Sequence, residues 1–122
     1  MFKRIDHVEI IPSDLERSIG FYAKVLGFTV KDRHKVDLPP LKQVVYLSLG
    51  DTVLELLEVE NPASVSREKW QIGYRMMAIE VEDMDKTVEY LKSKDVEISW
   101  GPIDLGGPKR AEIKDPDGIS IE

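Results

Sequence analysis

The second half of this chain repeats the first, and that repeat limits the folds open to it more than any other feature. Laid on each other, the halves pair His7 with Met76, Ile10 with Ile79, Asp14 with Asp83 and Leu15 with Met84. The match continues through Arg17 with Lys86, Ser18 with Thr87 and Phe21 with Tyr90. One deletion then pairs Phe28 with Val96 and Val30 with Ile98, and a further slip pairs Glu55 with Glu122. Each half must therefore build the same unit.

The order of elements in that unit follows from periodicity and punctuation. Residues 4–11 alternate as a strand, with Ile5, His7 and Glu9 on one face, until Pro12 ends it. Ser13-Asp14 supplies a helix cap, Leu15, Ile19, Tyr22 and Leu26 recur at helical spacing, and Gly27 closes the helix. Phe28-Thr29-Val30 opens a strand, Asp37-Leu38-Pro39-Pro40 turns, and Val44–Leu49 and Val53–Val59 form a hairpin about Gly50-Asp51. The second half predicts a strand over Tyr74–Val81, a helix capped by Asp83, and strands over Val96–Trp100, Ala111–Lys114 and Ile119–Glu122. Gly101-Pro102 and Asp115-Pro116-Asp117-Gly118 break the chain between them. The pattern is β-α-β-β-β twice. It predicts an α+β fold in which two βαβββ modules pair into a curved, cup-shaped mixed sheet with helices outside. One domain is expected over 1–122, with module one at 4–59, a connector at 60–72 and module two at 73–122.

At 122 residues the chain is long enough to bury a core. Its formal net charge of -6 argues against a nucleic-acid partner, because phosphate binding needs a basic face. No apolar run is long enough for a membrane span. Cysteine is absent and a charged strand begins at once, which agrees with a cytoplasmic protein and no secretion signal.

His7 and Glu55 are polar residues on strands that otherwise read as apolar, and burying them without partners is costly. A metal ion would satisfy both; a neighbouring carboxylate beside His7 is the simpler alternative. An imidazole with carboxylates suits a divalent ion such as Ni, Co, Zn, Mn or Fe. Asp6-His7-Val8, the run Phe21-Tyr22-Ala23-Lys24-Val25-Leu26-Gly27-Phe28, and Asp115-Pro116-Asp117-Gly118 followed by Ile121-Glu122 complete a second signal. In these segments and in its paired βαβββ order, the chain resembles the vicinal oxygen chelate superfamily. That family includes glyoxalase I, methylmalonyl-CoA epimerase, extradiol dioxygenases and bleomycin- and fosfomycin-resistance proteins.

The resemblance implies His7, Glu55 and Glu122 as metal ligands, with Met76 where a fourth ligand, His or Glu, usually stands. It implies a glyoxalase I-like lyase or isomerase acting on a small molecule through an enediolate-type intermediate, with Glu122, Glu55 or Glu9 moving the proton. The alternative is a metal-free protein, similar to bleomycin-resistance members, that sequesters an apolar or cationic small molecule. Lys109 and Arg110 are candidates for holding a substrate carboxylate or phosphate, or else belong to a solvated turn. Trp70 and Trp100 are candidates for lining the mouth of the cup, with core or connector packing the preferred assignment. A homodimer is expected, since family members often pair and some complete each site from the other subunit. The family's last strand runs on beyond the position of Glu122, which is consistent with a shortened form of the chain.

Overall fold

The structure is a computed structural model that describes residues 1–122, and it divides into two compact units, Met1–Ser64 and Val65–Glu122. The division falls inside the connector segment 60–72.

In the first unit, β1 (Val8–Ile10) leads to α1 (Leu15–Gly20), which widens into one π-helical turn (Phe21–Val25). Three strands follow, β2 (Thr29–Leu38), β3 (Leu41–Leu49) and β4 (Thr52–Val59). Their sheet order is β1-β4-β3-β2, with β1 parallel to β4 and the others antiparallel. The tight turn at Gly50-Asp51, where Gly50 has φ 58°, sets Leu49 opposite Thr52. Counting back along the ladder places Val45 opposite Leu56 and Leu47 opposite Leu54. These four are buried on one face, and α1, with Leu15, packs against β4. The fully buried Tyr22 joins this core in edge contact with Phe21 and Phe28. Residues two apart on a strand share a face, so Glu9, Glu55 and Tyr46 lie together on the opposite side.

The second unit repeats the order. After the segment at Met77 comes α2 (Met84–Ser93), then β5 (Ile98–Asp104), β6 (Lys109–Lys114) and β7 (Ser120–Ile121), paired as β5-β6-β7. Met77 bridges Ile121 in parallel, the counterpart of the β1–β4 pairing. The Ile79 amide donates to the Glu122 carbonyl at 2.7 Å, and the Glu122 amide to the Met77 carbonyl at 3.0 Å. The two helix caps coincide in detail. Asp14 and Asp83 are both extended, and their carboxylates accept from the amides of Arg17 at 3.1 Å and Lys86 at 3.0 Å.

The fold class is that read from the sequence, an open α+β arrangement of two βαβββ units. Three details differ. The strands form one four-stranded and one three-stranded sheet, where a single sheet was expected. The expected strand over 74–81 is reduced to the Met77 bridge, because its partner β7 offers only two residues. And β5 runs through Gly101-Pro102 instead of stopping there. Register shifts between Ile98, Trp100 and Ile103 absorb the irregularity, and Gly101 takes φ 75°. No helix is long and apolar enough to cross a membrane.

Candidate metal centre

The polar face of the first sheet gathers three groups with metal-ligating chemistry. His7 just precedes β1, Glu9 lies on it, and Glu55 stands directly opposite Glu9 on β4. One ligating atom from each lies within 4.8 Å of the others. His7 Nε2 is 3.0 Å from Glu55 Oε2 and 3.3 Å from Glu9 Oε1. Glu55 is only 5% exposed, whereas Glu9 is exposed at the sheet's edge strand. The face that Glu55 adopts follows from its neighbours: Leu54 and Leu56 are taken by the core against α1, so Glu55 must point the other way.

The other imidazole nitrogen is also engaged. His7 Nδ1 lies 2.9 Å from Asp6 Oδ2. Hydrogen bonds to Asp6 and then Glu9 hold the His7 pKa above its usual 6.5, with Glu55 adding attraction. In return His7 holds the Asp6 carboxyl below its usual range. Without an ion the ring is thus stabilised as an imidazolium donating from both nitrogens.

Tyr46 completes the surround. It lies opposite Glu55 on β3, in hydrogen-bonding contact with that carboxylate, and the negative charge of Glu55 pushes its phenol pKa up. Its ring meets His7 edge-on at 6.4 Å between centroids and lies 6.1 Å from His34. Neither Tyr46 nor the role of Asp6 was identified from the sequence. The signal for Tyr46 was present in the hairpin: a two-residue turn at Gly50-Asp51 forces residue 46 opposite residue 55. Asp6 could have been found from the habit of metal-bound histidines, which donate the second ring N–H to a carboxylate.

The donor set fits a divalent ion. A proton on Nδ1 shared with Asp6 leaves the Nε2 lone pair directed at the side of Glu9 and Glu55, the arrangement that fixes tautomer and ring orientation for a ligand histidine. One nitrogen and two carboxylates match borderline and hard divalent ions.

The remaining candidates lie in the second unit. Glu122 is partly buried and its Oε1 accepts from Arg110 Nη1 at 2.7 Å. Lys109 Nζ is held by Asp85 at 3.1 Å on the exposed surface. Met76 is half-buried beside the Met77 bridge. Trp70 corrects its assignment to packing: it is 78% exposed, and the cations Lys69 and Arg75 lie over its ring.

The sequence matches the model of the Glyoxalase/Bleomycin resistance protein/Dioxygenase superfamily over residues 4–122. The chain belongs to that superfamily. Among relatives within the family, lactoylglutathione lyase GLX1 of Arabidopsis thaliana is 33% identical over 98% of this chain, which spans 43% of the plant protein's length. Among solved structures, a glyoxalase family protein from Enterococcus faecalis superposes with a TM-score of 0.85 at 26% identity, covering 98% of this chain and 95% of that one. The trypanothione-dependent glyoxalase I of Leishmania major gives 0.79 at 32% identity, covering 98% and 84%.

Proposed function

We propose that this chain is a glyoxalase I-like, metal-dependent lyase or isomerase of a small molecule. The reading is carried by one observation: a nearly buried carboxylate, Glu55, 3.0 Å from a His7 nitrogen whose ring is oriented by Asp6. It is supported by similarity to proteins named lactoylglutathione lyase and glyoxalase I. His7 and Glu55 would hold the ion, and Glu122 is proposed as a further ligand on resemblance alone. When bound, such an ion supplies Lewis acidity toward two neighbouring oxygens of the substrate, favouring an enediolate. Asp6 keeps the His7 ring in place and its Nδ1 protonated. Glu9, exposed and 3.3 Å from His7 Nε2, is proposed to give up that contact when the ion binds and to take a proton from one substrate carbon and return it to the adjacent one. The same reading expects a homodimer, which sedimentation would show.

The test is metal content of the purified protein, then thermal-shift titration of stripped protein with nickel, cobalt, zinc, manganese and ferrous ions. Stabilisation that vanishes in His7→Ala, with turnover of 2-oxoaldehyde thiol adducts or epimerisable thioesters, is the expected result. Absence of metal and of any shift would overturn it.

A further inference from the structure

The second unit carries its own cavity of about 680 Å³, and every residue lining it belongs to that unit. Its walls differ in character from the acidic face that holds Glu9 and Glu55. Two indoles, Trp70 and Trp100, line it together with the cations Lys69, Arg75 and Arg110. Against these three cations stand two carboxylates, Glu112 and Glu122, a local balance of +1 in a chain of net charge -6. The cavity is thus suited to an anion, and not to the cationic ligand that the overall charge favours.

The cations are arranged to receive one. The Arg75 guanidinium carbon sits 4.7 Å from the centre of the Trp70 ring, and Lys69 Nζ sits 4.9 Å from it. Arg75 reaches Glu112 through a single nitrogen at 3.4 Å, and Arg110 reaches Glu122 through a single nitrogen at 2.7 Å. A guanidinium has five N–H donors in a planar fork, so each of these contacts leaves capacity for a bidentate carboxylate. The Gly106-Gly107-Pro108 segment forms another wall, and neither glycine would meet any atom within 4 Å if it carried a Cβ. A flat body can therefore lie there without displacing side chains.

We propose that this cavity binds a small aromatic carboxylate, its carboxylate on Arg75 and Arg110 and its ring against Trp70 and Trp100. Glu122, proposed above as a further metal ligand, also lines this cavity. The inference rests on Arg75, Arg110, Trp70 and Trp100 and not on a metal ion or His7, so its failure would leave the reading of His7 and Glu55 standing.

Trp70 and Trp100 are the only tryptophans in the chain, so tryptophan emission, excited selectively over the four tyrosines, reports on this cavity alone. The probe is 2-naphthoate, with neutral 2-naphthamide as its isostere, titrated by calorimetry and, after absorbance correction, by tryptophan emission. Saturable one-to-one binding of naphthoate is expected, with naphthamide at least tenfold weaker. Arg75→Gln should weaken naphthoate about tenfold or more, and Trp70→Ala severalfold, because they remove a charge-assisted hydrogen bond and a stacking face. Lys86→Gln, a surface cation beside Asp83, should leave the affinity unchanged. The proposal is overturned by absence of saturable binding, by equal affinity for the amide, or by equal losses in Arg75→Gln and Lys86→Gln.

Discussion

Replacing Glu55 by Gln separates two roles that a buried carboxylate beside an imidazole can have. The substitution keeps volume and an oxygen for the Tyr46 hydroxyl, and removes the charge. In metal-free protein two effects oppose: the attraction to His7 at 3.0 Å is lost, and the cost of keeping a carboxylate at 5% exposure is relieved. Removing one partner of an ion pair is costly when it strands a buried charge. His7 is partly exposed and keeps Asp6 and Glu9, so the stripped variant should lie within about 1–2 kcal/mol of wild type. For a domain of 122 residues, that is a melting shift of no more than about 10 °C in either direction. With metal the outcome differs. A divalent ion at a hundred times its dissociation constant stabilises the native state by about 2.7 kcal/mol. If the amide weakens binding a hundredfold, the same concentration yields only about 0.4 kcal/mol. Differential scanning of both proteins, stripped and with nickel, cobalt, zinc or manganese, measures all four states. A full wild-type metal shift in Glu55→Gln would show that Glu55 is not a ligand. A loss above about 3 kcal/mol in the stripped variant would show that the carboxylate serves the fold instead.

Three further outcomes follow from the same geometry. His7 has a folded-state pKa above its unfolded 6.5, so its contribution to stability is present below 6.5 and lost as pH rises through the folded value. Imidazole NMR of the stripped protein should show the raised midpoint, and Asp6→Asn should bring it down; an unchanged midpoint would refute the role of Asp6. Ser18 has a buried hydroxyl without a hydrogen-bond partner, while its repeat-mate Thr87 donates to the Asp83 carbonyl at 2.7 Å. Ser18→Ala should therefore raise stability by up to about 1 kcal/mol in denaturant titration, with destabilisation as the contrary result. Gly101 has φ 75°, and a Cβ there would sit 2.5 Å from the Arg110 carbonyl oxygen. Gly101→Ala should cost about 2 kcal/mol or more by chemical denaturation, and a silent substitution would contradict the close β5–β6 approach.

What could be read from the sequence was whatever depends on local chemistry or on strict spacing. Asp14 and Asp83 announced their helices because a cap needs only the amide three residues on. His7 and Glu55 stood out because polar side chains interrupt apolar strands, and the structure brings them together. Strand extents were less legible. The Tyr74–Val81 pattern is strand-like, yet a ladder is only as long as its partner, and β7 has two residues. Gly101-Pro102 read as a break because the irregularity is local, while the pairing that carries β5 through it comes from β6. Trp70 was assigned to packing although Lys69 beside it and Arg75 five residues on are the cations that meet its ring; their proximity in sequence does not say that the chain folds them over the indole. Lys109 and Arg110 are adjacent, but strand alternation separates their fates: one is bound to Asp85, the other lines the cavity.

The brevity of β1 has a thermodynamic consequence. Only Val8–Ile10 pair with β4, at the sheet's edge, and Met1, Phe2 and Ile5 before them are largely exposed. So short a ladder opens on its own, well below the free energy of global unfolding. An ion bridging His7 on one side of that opening and Glu55 on the other would close it. Detachment of the first ten residues and release of the ion then become one coupled event. Amide exchange at Val8, Glu9 and Ile10 should slow in proportion to ion occupancy while exchange in β3 does not.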